Sequence, residues 1–169
     1  AESPYWRPIK YSLFPPLGLA TLAAYFSDND DVEIQDQHIE KLKLDDTPDL
    51  VCIQVYVTNA YRAYKIADEY RRRGVYVVMG GLHVTSLPDE AAQHADTLIL
   101  GPGEEAFPRF IKDLREGHPQ KRYVASWRSI ENIPPVRRDL IKREKYFVPN
   151  SLVVSRGCPH HCDFCYKDA

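Results

Sequence analysis

The sequence predicts a doubly wound α/β domain, in which a parallel sheet is covered by helices on both faces. Three observations lead to this prediction. Helical and strand patterns alternate along the chain with few residues between them. Two apolar runs, DLVCIQVYV and VYVVMGG, are nearly continuous, as is typical of strands buried on both sides. The helical segments between the strands carry their apolar side chains on one face.

The predicted elements follow one another from residue 16 to residue 117. Prolines precede the first apolar helical stripe, and glycines end two later helices. Strands are predicted at residues 31–36, 49–56, 75–79 and 96–100. Helices are predicted at residues 16–27 and 60–73, in PDEAAQHA and in EEAFPRFIKDLREG. This succession is typical of a flavodoxin-like or Rossmann-like sheet.

The chain divides into three predicted regions. Residues 1–118 form the α/β domain, whose natural first strand we expect to be missing, because AESPYWRPIKYSLF has no apolar run. Residues 119–150 are rich in proline and charge and are predicted to be a linker, with the strand YVASW closing the sheet edge. Residues 151–169 begin a second domain, opening on a strand in SLVVSRG.

Composition excludes some classes of function. The 169 residues include 44% hydrophobic and 27% charged residues, and the net charge is -2. This balance does not favour binding to nucleic acid. The sequence has no apolar stretch long enough for a transmembrane segment and no apolar leader, so we expect a cytoplasmic protein.

Three of the four cysteines are clustered near the end of the sequence. Cys158, Cys162 and Cys165 have the spacing C-x3-C-x2-C, whereas Cys52 is predicted to be a buried strand residue. A zinc site would need a fourth ligand such as His160, and a disulfide would leave an odd thiol. Three thiolates can also hold an iron-sulfur cluster with one iron left open. The residues alone leave these three alternatives open.

The cysteine spacing resembles the cluster motif of the radical S-adenosylmethionine enzymes. Phe164 directly precedes the last cysteine, as an aromatic residue does in that family, and Tyr166 follows it. The resemblance implies that Cys158, Cys162 and Cys165 ligate a [4Fe-4S] cluster and that Phe164 lies along the adenine of S-adenosylmethionine. Residues 151–169 would then be the first strand and the cluster loop of a truncated radical S-adenosylmethionine barrel.

Glycine-rich turns follow two predicted strands, at MGGLHVT and at GPGEEA. Such turns can bind nucleotides, bind other flat ligands, or simply reverse the chain. Together with FPPLGLATLAAYF they resemble the cobalamin-binding domain that precedes the barrel in one subgroup of these enzymes. The resemblance implies a corrin across the carboxyl edge of the sheet. The cofactor contacts that it implies are Thr58, Asn59, Gly80, Gly81, His83, Gly101, Gly103 and Glu104.

One departure concerns the histidine that replaces the base of cobalamin in some proteins. Their motif is D-x-H-x-x-G, but here Asp36 and His38 follow the second strand pattern, and Lys41 stands in place of the glycine. We therefore expect His38 to be a surface histidine and cobalt to lack a histidine ligand.

The two resemblances imply the amino-terminal portion of a cobalamin-dependent radical enzyme. Methyl transfer from cobalamin to an unactivated carbon or phosphorus of a small-molecule substrate is the expected reaction. Oxidative cyclisation of the magnesium-protoporphyrin IX monomethyl ester type is an alternative. A non-catalytic corrin-binding module and a zinc-stabilised interaction module are others. The expected partner is a reductant such as flavodoxin or ferredoxin, and the residues given would not turn over alone.

Overall fold

The computed structural model describes residues 11–126, 131–154, 160, 162 and 163 of the chain. These residues belong to two compact units. The first contains the described residues up to Leu44 together with Pro134–Val154, and the second contains those from Asp45 to Ile133 and those after Val154. Within the described ranges, no helix is long and apolar enough to cross a membrane.

The first unit is a small helical and irregular assembly. Helix α1 (Leu17–Leu22) continues into a 3₁₀ turn at Ala23–Tyr25, in agreement with the helix predicted at residues 16–27. Two further 3₁₀ turns are Arg138–Leu140 and Arg143–Lys145. A buried apolar cluster in this unit contains Ala20, Ile39, Ile141 and Tyr146.

The second unit is built on a parallel sheet of four strands, in the order β1-β2-β3-β4. Its strands are β1 (Leu50–Gln54), β2 (Tyr76–Gly80), β3 (Thr97–Leu100) and β4 (Arg122–Val124). Its helices are α2 (Ala60–Arg72), α3 (Leu82–Ser86), α4 (Pro88–Ala91) and α5 (Gly103–Arg115). Three of the predicted strands and the strand expected within YVASW are therefore present.

Helices cover both faces of this sheet, as the prediction of a doubly wound domain requires. On one face Val77, Met79 and Leu98 pack in a single buried cluster with side chains of α2, α3 and α4. Adjacent residues in a strand point to opposite faces. On the opposite face the Phe110 ring of α5 therefore lies against Tyr76 and Tyr123, with ring centroids 6.3 and 5.7 Å apart. The α/β fold class is confirmed.

The strand predicted at residues 31–36 is wrong, and the described part of SLVVSRG is not in a strand. Residues 31–36 form no strand, and among the described residues no strand pairs with them. Gln35 instead uses its side-chain oxygen to accept a hydrogen bond from the Lys43 N–H, at 2.9 Å. Residues 151–154 also form no strand; the Ser151 carbonyl accepts a hydrogen bond from the Arg138 side chain at 2.6 Å. The apolar patterns were correctly recognised, but a strand also needs a neighbouring strand to hydrogen-bond with.

Candidate functional site at the carboxyl edge of the sheet

The parallel sheet brings the predicted contact residues to one edge. Because all four strands run in the same direction, the loops that follow them emerge together at their carboxyl ends. Thr58 and Asn59 follow β1, and Gly81 and His83 follow Gly80 at the end of β2. After β3 come Gly101 and then Gly103 and Glu104, which lie in the first turn of α5. Each predicted residue in the sheet unit therefore lies at or beside this edge.

Gly81 forms the tightest turn of the edge. Its φ is 107°, and a Cβ at this position would lie 2.7 Å from the carbonyl oxygen of Val55. The same Val55 oxygen accepts a hydrogen bond from the His83 N–H at 3.3 Å, and the Val55 N–H donates to the Gly80 carbonyl at 2.8 Å. The turn after β2 is therefore pressed against the backbone at the end of β1, and only glycine fits there.

Gly101 forms the second turn, after β3. Its φ is 82°, and a Cβ would lie 3.2 Å from the Cβ of Ala125 in the segment after β4. Its N–H donates a hydrogen bond to the hydroxyl of Thr85, at 3.0 Å. The turn after β3 thus also packs closely against the segment after β4.

Asn59 stabilises the loop after β1 through its side chain. Its Oδ1 accepts a hydrogen bond from the Tyr56 N–H at 2.8 Å, and its Nδ2 donates to the Gln54 carbonyl at 3.4 Å. Its own carbonyl accepts from the Ala63 N–H, which starts α2. The neighbouring Thr58 is exposed. Asn59 therefore shapes this loop, while Thr58 is open to a ligand.

The His83 side chain is mostly buried and contacts Glu90 and Tyr64. It is 11% exposed, and its Nε2 lies 3.3 Å from Oε1 of Glu90. The imidazole and Tyr64 rings have centroids 6.1 Å apart, and Tyr64 stacks on His94. The neighbouring Tyr64 hydroxyl, followed by His83, holds the pKa of Glu90 below its usual value. The His83 imidazole is therefore engaged with neighbouring protein groups.

The helix after β3 anchors the last loop through Glu105. Its carboxylate accepts a hydrogen bond from the Ser126 N–H at 2.7 Å and pairs with Arg109 at 3.1 Å. The Arg109 guanidinium in turn donates to the Val124 carbonyl at the end of β4. Glu104, beside Glu105, is partly buried in the same first turn. Glu105 thus connects the first turn of α5 to the segment after β4.

Exposed apolar side chains at the edge were not among the residues predicted from the sequence. Tyr56 and Val57 directly follow β1 and are 43% and 78% exposed, and Leu82 after β2 is 46% exposed. An available signal was the length of the apolar run LVCIQVYV, which extends beyond the strand that it forms. These side chains give the edge an apolar surface beside the two glycine turns.

The predictions for His38 and the cysteines concern residues that are not among the predicted contacts of this edge. His38, in the first unit, is 78% exposed at its side chain and lies 2.9 Å from Asp36, as expected for a surface histidine. Cys52 lies in β1, where burial raises the pKa of its thiol to about 12. Cys162 is exposed and has a free thiol. The predicted roles of Cys158, Phe164 and Cys165 lie outside the described residues.

The fold is an open parallel α/β sheet whose loops meet at one edge, an arrangement that binds ligands in many proteins. The family model described as "B12 binding domain" matches residues 11–111, which are more than half of the chain. The chain belongs to this family. The match includes all the glycines of the edge and the exposed residues after β1 and β2.

Three curated relatives of the chain have the names of methyltransferases or methylases. The bacteriochlorophyllide d C-8(2)-methyltransferase of Chlorobaculum tepidum is 34% identical over 88% of this chain and 35% of its own length. The bacteriochlorophyllide d C-12(1)-methyltransferase of the same organism is 29% identical over 89% of this chain and 34% of its own. The hopanoid C-3 methylase of Methylococcus capsulatus is 28% identical over 89% and 35%. The chain thus spans about a third of the length of these relatives.

Proposed function

We propose that the carboxyl edge of the sheet binds cobalamin and that the chain is the cobalamin-binding portion of a methyltransferase. The observation that carries the proposal is the pair of turns at Gly81 and Gly101. Each has a left-handed φ and a close approach to the neighbouring loop that a side chain would obstruct. Such turns bring the loops of the edge close together, so that they form one surface on which a large planar ligand could lie.

The described residues fit a corrin. A corrin is a broad ring system with an apolar face and peripheral amides, so it needs both apolar surface and hydrogen-bonding groups. Tyr56, Val57 and Leu82 offer the apolar surface. The exposed Thr58 offers a hydroxyl, and backbone groups of the glycine turns can be approached closely. A bound cobalamin would supply a methyl group carried on its cobalt.

The proposed mode of binding uses no histidine between Asp45 and Ile133 as a cobalt ligand. The His83 imidazole faces Glu90, and the His94 imidazole lies 2.9 Å from Asp68. His118 follows α5, close to Glu116 and away from the edge where the strands end. The apolar side chains, the Thr58 hydroxyl and the backbone of the glycine turns would therefore hold the corrin through its ring and amides.

Methyl transfer is proposed over oxidative cyclisation because of the relatives. The names of the three compared relatives are those of methyltransferases or methylases. The spacing of Cys158, Cys162 and Cys165 supports a radical mechanism in which a [4Fe-4S] cluster and S-adenosylmethionine act on a small-molecule substrate. A reductant such as flavodoxin or ferredoxin would then supply the electron.

A titration with hydroxocobalamin and with methylcobalamin tests the binding proposal. We expect saturable, stoichiometric binding and a visible spectrum shifted toward the base-off form. Gly80→Val, Gly81→Val and Gly103→Val should each weaken binding. The matched control is Gly117→Val, because Gly117 also has a positive φ but lies at the opposite end of α5. Absence of binding by the folded chain, or equal weakening by the control, would overturn the proposal.

Metal analysis tests the cluster proposal separately. Anaerobically reconstituted chain should contain about four iron atoms, and Cys158→Ala, Cys162→Ala or Cys165→Ala should each reduce the iron and the brown absorption. Cys52→Ala is the control, because Cys52 lies in β1 of the sheet. Zinc in place of iron in the purified chain, or iron that is insensitive to the three substitutions, would contradict the radical mechanism and leave cobalamin binding untouched.

A further inference from the structure

Thr85 connects two separate loops of the carboxyl edge through one hydroxyl group. This residue lies in α3, after β2. Its hydroxyl donates a hydrogen bond to the Gly81 carbonyl at 3.1 Å and accepts one from the Gly101 N–H at 3.0 Å. A hydroxyl has one hydrogen and two lone pairs, so both bonds can exist at once. The two glycine turns are therefore linked by a single side chain.

The link extends a chain of contacts across the whole edge. Gly81 is already held against the Val55 backbone at the end of β1. Gly101 lies close to Ala125 after β4. The Thr85 hydroxyl joins these two pairs of contacts. The strand ladder between β2 and β3 ends at Gly80 and Ile99. Beyond that ladder, the Thr85 hydroxyl is a direct polar link between the second and third loops.

We propose that Thr85 is a positioning residue that sets the separation of the two glycine turns and thereby the affinity of the edge for its ligand. This inference rests on the proposed function, since the ligand is cobalamin. The sheet itself does not depend on this bond, because strand pairing and the buried cluster of Val77, Met79 and Leu98 hold β2 and β3 together. Loss of the hydroxyl should therefore affect the loops more than the fold.

Two substitutions of Thr85 separate the effect of its hydroxyl from that of the rest of its side chain. Thr85→Val keeps the shape and removes both bonds, whereas Thr85→Ser keeps the hydroxyl and removes the methyl group. Ser86→Ala is the matched control: the Ser86 hydroxyl bonds only within α3, to the Leu82 carbonyl at 2.8 Å. The control thus removes a hydroxyl from the same helix without separating the two turns.

The experiment measures the dissociation constant for hydroxocobalamin and the amide hydrogen exchange of Gly101 in the ligand-free chain. Thr85→Val should raise the dissociation constant about tenfold, the usual effect of losing one or two hydrogen bonds. It should also speed exchange at Gly101, because the N–H loses its acceptor. Thr85→Ser should restore both values to within about twofold of the unsubstituted chain, and Ser86→Ala should leave both unchanged.

The outcomes distinguish the two proposals. If the unsubstituted folded chain fails to bind hydroxocobalamin, the proposed function fails and this inference falls with it. If that chain binds and Thr85→Val binds equally well, only the role of Thr85 is overturned. If Thr85→Ser behaves like Thr85→Val, or Ser86→Ala weakens binding as much, the bridging hydroxyl is not the cause and the inference is likewise overturned.

Discussion

At the scale of single residues, the edge depends on backbone positions where a side chain would collide with another loop. Gly81 combines a positive φ with a Cβ position 2.7 Å from the Val55 carbonyl oxygen. Gly74 has a positive φ of 80° but has nothing within 4 Å of its Cβ position. A comparison of Gly74 with Gly81 therefore separates the effect of backbone strain from that of steric collision. Strain alone applies at Gly74, and both apply at Gly81.

We predict that Gly81→Ala lowers the free energy of unfolding more than Gly74→Ala does. The left-handed conformation costs an alanine about 1 kcal/mol at Gly74. The contact with Val55 should raise the total to about 3 kcal/mol at Gly81. Urea unfolding of the two variants measures the difference. Equal losses would show that the Val55 contact relaxes without cost and that the turn is not tightly held.

At the scale of elements, the sequence predicted the helices and central strands well. The apolar runs around β1, β2 and β3 and the one-sided stripes of α2 and α5 are strong local signals. Helix α3 was not predicted, because its five residues LHVTS are too few to show a helical period. Residues 31–36 were predicted as a strand on composition alone, and composition does not reveal whether a pairing strand is present.

We predict that Glu105 holds the loop after β4 in place. Its carboxylate is 12% exposed and accepts the Ser126 N–H at 2.7 Å. Glu105→Ala should cost about 1–3 kcal/mol of unfolding free energy, since it leaves the Ser126 N–H and the Arg109 side chain without this acceptor. Faster hydrogen exchange at the Ser126 amide should accompany the loss.

The control for this prediction is an exposed ion pair on the same helix. Lys112 is 73% exposed and lies 4.0 Å from Glu116, so Lys112→Gln should change the stability by less than about 0.5 kcal/mol. If Glu105→Ala and Lys112→Gln have the same small effect, the Glu105 carboxylate does not anchor the loop after β4. Retention of slow exchange at Ser126 in Glu105→Ala would lead to the same conclusion.

At the scale of the whole molecule, each unit contains a tyrosine that is stabilised in its protonated form. In the sheet unit, burial and then a hydrogen bond to Asp46 raise the pKa of Tyr70 from 10.0 to about 12. In the other unit, burial and then Asp36 raise the pKa of Tyr146. When a group has a higher pKa in the folded state than in the unfolded state, its contribution to stability is fully present below the unfolded-state pKa. That contribution is lost as the pH rises through the folded-state pKa.

We therefore predict that the free energy of unfolding is independent of these tyrosines' ionisation below pH 10 and falls as the pH rises from 10 toward 12. Tyr70→Phe should reduce the steepness of this fall, because phenylalanine cannot ionise. Chemical unfolding of both chains across this pH range measures the slopes. Identical slopes would show that Tyr70 does not ionise differently in the folded and unfolded states.

The candidate site was predictable in outline but not in its internal bonding. Glycines after strands and parallel strand order were enough to place Gly81 and Gly101 at one edge. The direction of the His83 side chain and the two-sided bond of Thr85 depend on contacts between residues of different loops. Sequence periodicity describes each element separately, so it carries no information about such contacts.

We propose above that cobalamin lies on the carboxyl edge of the sheet. Amide hydrogen exchange with and without hydroxocobalamin tests it most directly, by comparing Gly81 and Gly101 with Gly74 and Gly117 at the opposite edge. We expect slower exchange at Gly81 and Gly101 in the complex and no change at the other two. Protection confined to Gly74 and Gly117, or unchanged exchange at all four with ligand bound, would contradict it.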